Sequence, residues 1–200
     1  MQEQIIEKAT EMYLTLGFKS VTMDDIANEM GISKKTIYQH FANKNDLVEA
    51  VTMQMFDTIS CGIDEICLED KNPITEIFEI KNFVMQNLKD EKASPIYQLQ
   101  KYFPKTFKCL RNKQFDKMED CVIRNLKKGI ELGLYRNDLN LDFVSRIYYS
   151  GIHSTKDKEV FPDTMFNAVQ LEEMYLEYHL RGIITEKGLK VLEKITNKSN

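Results

Sequence analysis

VTMDDIANEMGISKKTIYQHFANKNDLVEA, residues 21–50, holds two short runs of helical period separated by a single glycine. In the first run Thr22 stands as an N-cap with Asp25 three residues on, a capping-box pattern, and Ile26 and Met30 share one side at i, i+4. Gly31 permits a tight turn and Ile32 can plug its inner side. Ser33 then caps a second helix whose inward face is Ile37 and Phe41. Asn43, with Asp46 at the reciprocal position, opens a longer pattern through Leu47, Val51, Met55, Ile59 and Ile66 that runs out near Glu69–Pro73.

Upstream, Ile5, Ala9, Met12, Tyr13 and Leu16 form one face of a first helix, and Gly17 is expected in the left-handed C′ position with Phe18 as its hydrophobic contact. Downstream, Asn72-Pro73, Ser94-Pro95, Phe103-Pro104, Gly133, Asn140 and Pro162 punctuate about six further helices. Apolar residues recur at spacings of three and four and no stretch alternates as a strand does, so the fold class is all-α. The division expected is a small three-helix unit over residues 1–46, joined by a long helix to a larger helical bundle over residues 47–200.

A helix-turn-helix places its second helix in the major groove of DNA. With Ile37 and Phe41 turned inward, the outward positions of that helix are Lys34, Lys35, Thr36, Tyr38, Gln39 and His40, and none is acidic. Lys34 and Lys35 are suited to guanine or phosphate, Gln39 carries the donor and acceptor that adenine pairs with, and the Thr36 methyl suits thymine. These four are the candidate base readers. Tyr38, His40 and Lys44, with Thr22 at the start of the preceding helix, are the candidate phosphate contacts, which set register without reading sequence. Global charge does not advertise this face: the chain is −4 overall, and residues 1–50 hold five lysines against eight acids. A narrow patch suffices, because charges are screened beyond about 8 Å at physiological salt.

The stretch LGFKSVTMDDIANEMGISKKTIYQHFANKNDLVEAV, residues 16–51, resembles the N-terminal signature of TetR/AcrR-type transcriptional regulators: Gly-Phe after the first helix, Thr-x-x-x-Ile-Ala, Gly-Ile-Ser, Tyr-x-His-Phe, then Lys-x-x-Leu. The resemblance implies an all-helical homodimer that uses three N-terminal helices for a DNA operator, with a C-terminal bundle holding a small-molecule effector and the dimer face. It also implies the same roles for Thr22, Lys34, Lys35, Thr36, Tyr38, Gln39, His40 and Lys44 as the face reading does. Two positions depart from the pattern: Ala42, where proline or a charged residue is common, and Asp24, where a basic residue is frequent.

The C-terminal segments are read from pattern alone. The run Thr164–Ile184 is apolar on nearly all sides, through Phe166, Val169, Leu171, Met174, Tyr175, Leu176, Tyr178, Leu180 and Ile183, and a partner subunit is its expected cover. Leu141–Ser154 has the same character around Phe143, Val144, Ile147, Tyr148 and Ile152, with Gly151 allowing close helix approach. Two such helices from each protomer make a four-helix dimer face under two-fold symmetry, for which Phe143, Ile147, Phe166, Val169, Met174, Tyr175, Leu176, Tyr178 and Leu180 are the expected contacts. A pocket for a mostly apolar effector is expected among Met85, Tyr97, Tyr102, Phe103, Phe107, Tyr148, Tyr149 and His153, where side chains with an apolar body and a polar tip gather.

Other classes are disfavoured. There is no GxSxG elbow, HExxH, P-loop or glycine-rich dinucleotide turn, and His40, His153 and His179 lie far apart, so no enzyme, cofactor or metal is expected. Cys61, Cys67, Cys109 and Cys121 fit no zinc or disulfide spacing and are expected to act as small buried hydrophobes. An acidic N-terminal start and the lack of any long apolar run give the expectation of a cytoplasmic protein without a membrane partner. A helical adaptor that binds only protein is the rival, and salt dependence separates the two, since DNA affinity falls steeply with salt.

Overall fold

The structure, a computed structural model, describes residues 1–87 and 95–196. Ten helices occur among the described residues: α1 Gln2–Leu16, α2 Met23–Glu29, α3 Lys34–His40, α4 Lys44–Leu68, α5 Pro73–Asn87, α6 Pro95–Tyr102, α7 Pro104–Glu131, α8 Leu141–Ser154, α9 Ala168–Arg181 and α10 Glu186–Thr196. The only ladder-like pairing among them is an isolated antiparallel bridge between Tyr135 and Ile184. The expected break at Ser94-Pro95 is half described, since Ser94 lies outside the described residues and Pro95 opens α6.

The chain divides into two compact units, Met1–Gly62 with Gln86–Gln114, and Ile63–Met85 with Phe115–Asn200. It passes from one to the other inside α4, near the end of α5 and inside α7, so each passage is helical and none is a loop.

The first unit is built on a core of Ile5, Ala9 and Tyr13 from α1, Ile26 and Ala27 from α2, Ile37 from α3, and Leu47, Val48 and Val51 from α4. Leu99 of α6 and Leu110 of α7 complete it. Phe18, 1% exposed, closes the α1–α2 turn with its ring 4.8 Å from that of Tyr13. Gly17 differs from the expected left-handed cap: its φ is 90° but its ψ is 149°, and its N–H still donates to Tyr13 O as in the helix before it. The reason is Gln98, which lies where a Cβ on Gly17 would project and accepts the Lys19 N–H at 3.0 Å, drawing the turn outward onto α6.

The second unit packs Ile74 and Ile77 of α5, Val122 and Leu126 of α7, Val144 and Tyr148 of α8, Leu176 and Leu180 of α9, and Leu192 of α10 into one cluster. Inside it Tyr135 Oη donates to Asn125 Oδ1 at 3.0 Å, and Asn125 Nδ2 donates to the buried Glu76 Oε1 at 2.8 Å and to Pro73 O at 2.9 Å. Buried polar atoms are here satisfied by one another, as burial requires. Where α8 and α9 pack, Tyr175 Oη donates to Ile147 O and Tyr148 O at 3.0 and 3.1 Å, over the space left by Gly151. Lys81, buried on α5, reaches Glu173 of α9 at 2.9 Å.

The cysteines depart from expectation in part. Cys61 is exposed, and Cys67, Cys109 and Cys121 are half-buried. They fall on α4 and α7.

Candidate nucleic-acid interface

Local chemistry sets the geometry of α2 and α3. Thr22 accepts the Asp25 N–H at 3.2 Å while Asp25 Oδ2 takes the Thr22 N–H at 2.8 Å and its hydroxyl at 2.7 Å, the reciprocal cap read from the sequence. Those hydrogen bonds, side chain first and backbone second, hold the Asp25 carboxyl below its ordinary pKa. At the other end Gly31 N–H donates to Asn28 O and Ile32 N–H to Ala27 O at 3.1 and 3.0 Å, with Gly31 at φ 65°. That pair of bonds is a Schellman closure, which needs a residue in the left-handed region, and it aims the chain into α3 with Ile32 packed on the core.

Ser33 Oγ caps α3 by accepting the Thr36 N–H at 3.1 Å and sits 2.9 Å from Thr36 Oγ1, so the Thr36 methyl is the group left to meet a ligand. Ile37 is fully buried and Phe41 is 5% exposed, as their inward roles require. Lys34, Lys35, Tyr38, Gln39 and His40 are exposed. Among the described residues, no hydrogen bond or ion pair engages the side chains of Lys35, Tyr38, Gln39 or His40. Lys34 is the exception: its ammonium pairs with Asp24, the acid that stands at a customarily basic position.

Lys44 begins α4 after the Asn43–Asp46 cap, in which Asn43 Oδ1 accepts the Asp46 N–H at 3.1 Å. Its ammonium donates to Lys19 O at 3.1 Å and lies 5.9 Å from the Phe103 ring. Burial pulls its pKa down, and the Asp25 carboxylate pushes the other way. Thr22, Tyr38, His40 and Lys44, the candidate phosphate contacts, and Lys34, Lys35, Thr36 and Gln39, the candidate base readers, all belong to the first unit.

The other expected site residues distribute as follows. Tyr97, Tyr102, Phe103 and Phe107 belong to the first unit, where Phe103 and Phe107 pack on its core and Tyr97 and Tyr102 are exposed. Met85, Tyr148, Tyr149 and His153 belong to the second unit, with Tyr149 and His153 rings 4.2 Å apart. On α8 and α9, Phe143, Ile147, Val169, Met174 and Tyr178 are exposed and Tyr175 is partly covered, as is Phe166 just before α9. Leu176 and Leu180, at 2% and 0% exposure, lie instead in the protomer's own core, because α9 turns that face toward α5 and α7 residues of the same cluster. Gln98 and Lys19 were not singled out by sequence, since their contact joins positions 79 residues apart.

Residues 5–51 match the family model described as bacterial regulatory proteins, tetR family. The repressor KstR2 of Mycobacterium tuberculosis is 29% identical over 192 residues, 92% of either chain. The Bacillus subtilis regulator YvaF, an HTH-type protein of uncharacterised role, is 23% identical over 94% of this chain and 97% of its own. A transcriptional regulator structure from Cytophaga hutchinsonii, 18% identical, superposes with a TM-score of 0.72 over 92% of this chain and 98% of its own. The structure of the ketosteroid transcriptional regulator KstR2 of M. tuberculosis gives a TM-score of 0.58 at 22% identity over 92% of this chain and 95% of its own. These relatives are regulators and not enzymes, and no helix among the described residues is long and apolar enough to cross a membrane. With a capped helix-turn-helix inside the matched segment and the all-helical fold shared over nine-tenths of its length, the chain is similar to DNA-binding regulators of the TetR family, whose model its residues 5–51 match.

Proposed function

We propose that the protein is a homodimeric transcriptional repressor that binds a palindromic operator and releases it when a small, mostly apolar effector binds. The observation that carries the DNA half of this reading is the outward face of α3, where Lys35, Tyr38, Gln39 and His40 stand exposed and no acid is present. Lys34, Lys35, Thr36 and Gln39 read bases, and Thr22, Tyr38, His40 and Lys44 hold phosphates. Residues 1–46 act as the DNA-binding domain and residues 47–200 as the ligand-binding and dimerisation domain, in a protein working in the cytoplasm. The repressor sense is supported by the KstR2 relatives.

Dimerisation runs through the exposed strip of Phe143, Ile147, Val169, Met174 and Tyr178, with Phe166 and Tyr175 at its edge. Apolar residues of this size standing at 44–78% exposure on two packed helices are costly in water, and a two-fold partner covers them. Operator binding by such a dimer requires its two recognition helices about 34–36 Å apart, the spacing of successive major grooves. The effector is received by the aromatic set of the second unit, Tyr148, Tyr149 and His153 with Met85, while Tyr97, Tyr102, Phe103 and Phe107 serve the first unit.

Competition binding against a library of duplexes tests the reading. Gln39→Ala relaxes preference at one base pair per half-site, worth about 1–3 kcal/mol of discrimination. Lys44→Ala weakens binding to all sequences alike and flattens the salt slope by ~0.9 per half-site. A protein whose sequence preference is indifferent to every substitution on the outer face of α3 is not a reader of operators by this helix.

A further inference from the structure

Between Pro95 and Gln114 the chain carries Lys101, Lys105, Lys108, Arg111 and Lys113 and no acid, in a protein whose net charge is −4. This stretch forms α6 and the first turns of α7, and it belongs to the same unit as the helix-turn-helix. Its basic residues do not stand apart from the phosphate-binding edge. Gln98 of α6 fixes the backbone of Lys19 through the 3.0 Å bond to its N–H. The Lys19 ammonium then lies 5.0 Å from the centre of the Tyr102 ring, and that of Lys101 lies 5.5 Å from the same ring and 5.5 Å from that of Tyr97. Lys44, over the next ring, Phe103, holds the Lys19 carbonyl.

Three ammonium groups thus gather on three adjacent aromatic rings. Among the described residues no carboxylate forms an ion pair with Lys19, Lys44, Lys101 or Lys105. Contacts with aromatic rings, and the bond from the Lys101 ammonium to the Tyr97 hydroxyl at 3.3 Å, do not neutralise these cations, which leaves their charge available to an external anion. Close like charges, of which Lys44 alone feels a nearby carboxylate, that of Asp25, are relieved by a polyanion, and successive phosphates provide one.

We propose that Lys19 and Lys101 form a second phosphate-binding surface, continuous with Lys44, which grips the DNA backbone outside the base pairs that α3 reads. This rests on the DNA-binding reading above and extends it to a surface built by α6, which lies outside the helix-turn-helix. The surface takes no sequence information. It lengthens the footprint of each half-site and binds as strongly as its phosphates are neutralised.

The test uses the full chain with two duplexes, one trimmed to the recognised base pairs and one extended by a helical turn on each side. On the extended duplex the Lys19→Gln/Lys101→Gln protein shows a salt slope smaller than wild type by ~2 per half-site, so its affinity falls roughly tenfold less between 50 and 200 mM salt. On the trimmed duplex the two proteins bind alike, which also verifies that the variant is folded. Lys101→Arg keeps the wild-type slope on both. An unchanged slope on the extended duplex, or an equal loss on the trimmed one, overturns the proposal while leaving α3 as the reader. A wild-type chain with no salt-dependent DNA binding overturns the DNA reading itself, and this surface with it.

Discussion

Gly151→Ala sets two opposing effects against each other, and their magnitudes decide the sign. In a helix interior alanine is favoured over glycine by about 1 kcal/mol. A Cβ at position 151, however, would lie 2.1 Å from the ring Cζ and hydroxyl of Tyr175, against about 3.5–4.0 Å for ordinary contact. The ring has to leave. Leaving breaks the three-centre hydrogen bond in which the single Tyr175 Oη proton is shared between Ile147 O and Tyr148 O, worth about 0.5–1.5 kcal/mol net. It also disturbs the stacking of Tyr175 on Tyr148, whose centroids are 6.2 Å apart at 18°, for about 0.5–1.5 kcal/mol more. At central values the loss exceeds the helical gain, and the variant is expected to be less stable by about 1–2 kcal/mol, which lowers Tm by roughly 2–8 °C in a chain of this size. A double-mutant cycle with Tyr175→Ala isolates the cause: with the ring absent, Gly151→Ala is expected to be neutral or stabilising by up to about 1 kcal/mol. Chemical denaturation of the four proteins reads the outcome. If Gly151→Ala is equally destabilising in both backgrounds, or harmless with Tyr175 present, the close approach of α8 and α9 is not what requires the glycine.

Two further expectations follow from the second unit. Tyr178→Asp, at a position 78% exposed in the protomer, is expected to leave the protomer's helical content intact but to shift sedimentation at micromolar concentration from dimer to monomer, because the carboxylate would be buried unpaired in the partner's face; a variant that stays dimeric would displace the interface from this strip. His179, 9% exposed, has its pKa lowered by burial from 6.5 to about 4. Its stabilising contribution is fully present above pH 6.5, where it is neutral in both states, and is lost as pH falls toward 4 because the unfolded chain takes up a proton that the folded one refuses. The cost reaches up to about 3 kcal/mol, and equilibrium unfolding between about pH 4 and 7 is expected to show it in wild type and to show a flatter profile in His179→Gln.

Much of the DNA-facing unit is legible in sequence because its determinants are local. The Thr22–Asp25, Ser33–Thr36 and Asn43–Asp46 caps each close over three residues, and Gly31 answers to a turn set by its immediate neighbours. The class of fold is legible for the same reason, since period alone separates helix from strand. Tertiary choices are not. Periodicity marks α9 as apolar almost all round, but only packing decides that Leu176 and Leu180 face inward while Tyr178 and Met174 face out. Gly17 is right in identity and different in conformation because Gln98, far along the chain, draws its turn outward. Lys34 looks like a plain base reader until Asp24, ten positions earlier, is seen to hold it.

The four thiols give the molecule a built-in point of attachment. Cys67 and Cys121 have pKa values raised chiefly by burial, that of Cys121 to about 11, so at neutral pH both are held as the unreactive protonated form. Cys109 is half-buried, whereas Cys61 stands exposed on α4, one residue before the end of the first unit's opening segment at Gly62. A maleimide dye added briefly to the native protein is therefore expected to label Cys61 first, without any cysteine having to be removed. That place lies on the helix that carries the chain from Lys44 into the second unit, so the unaltered protein can be made to signal optically what happens along it.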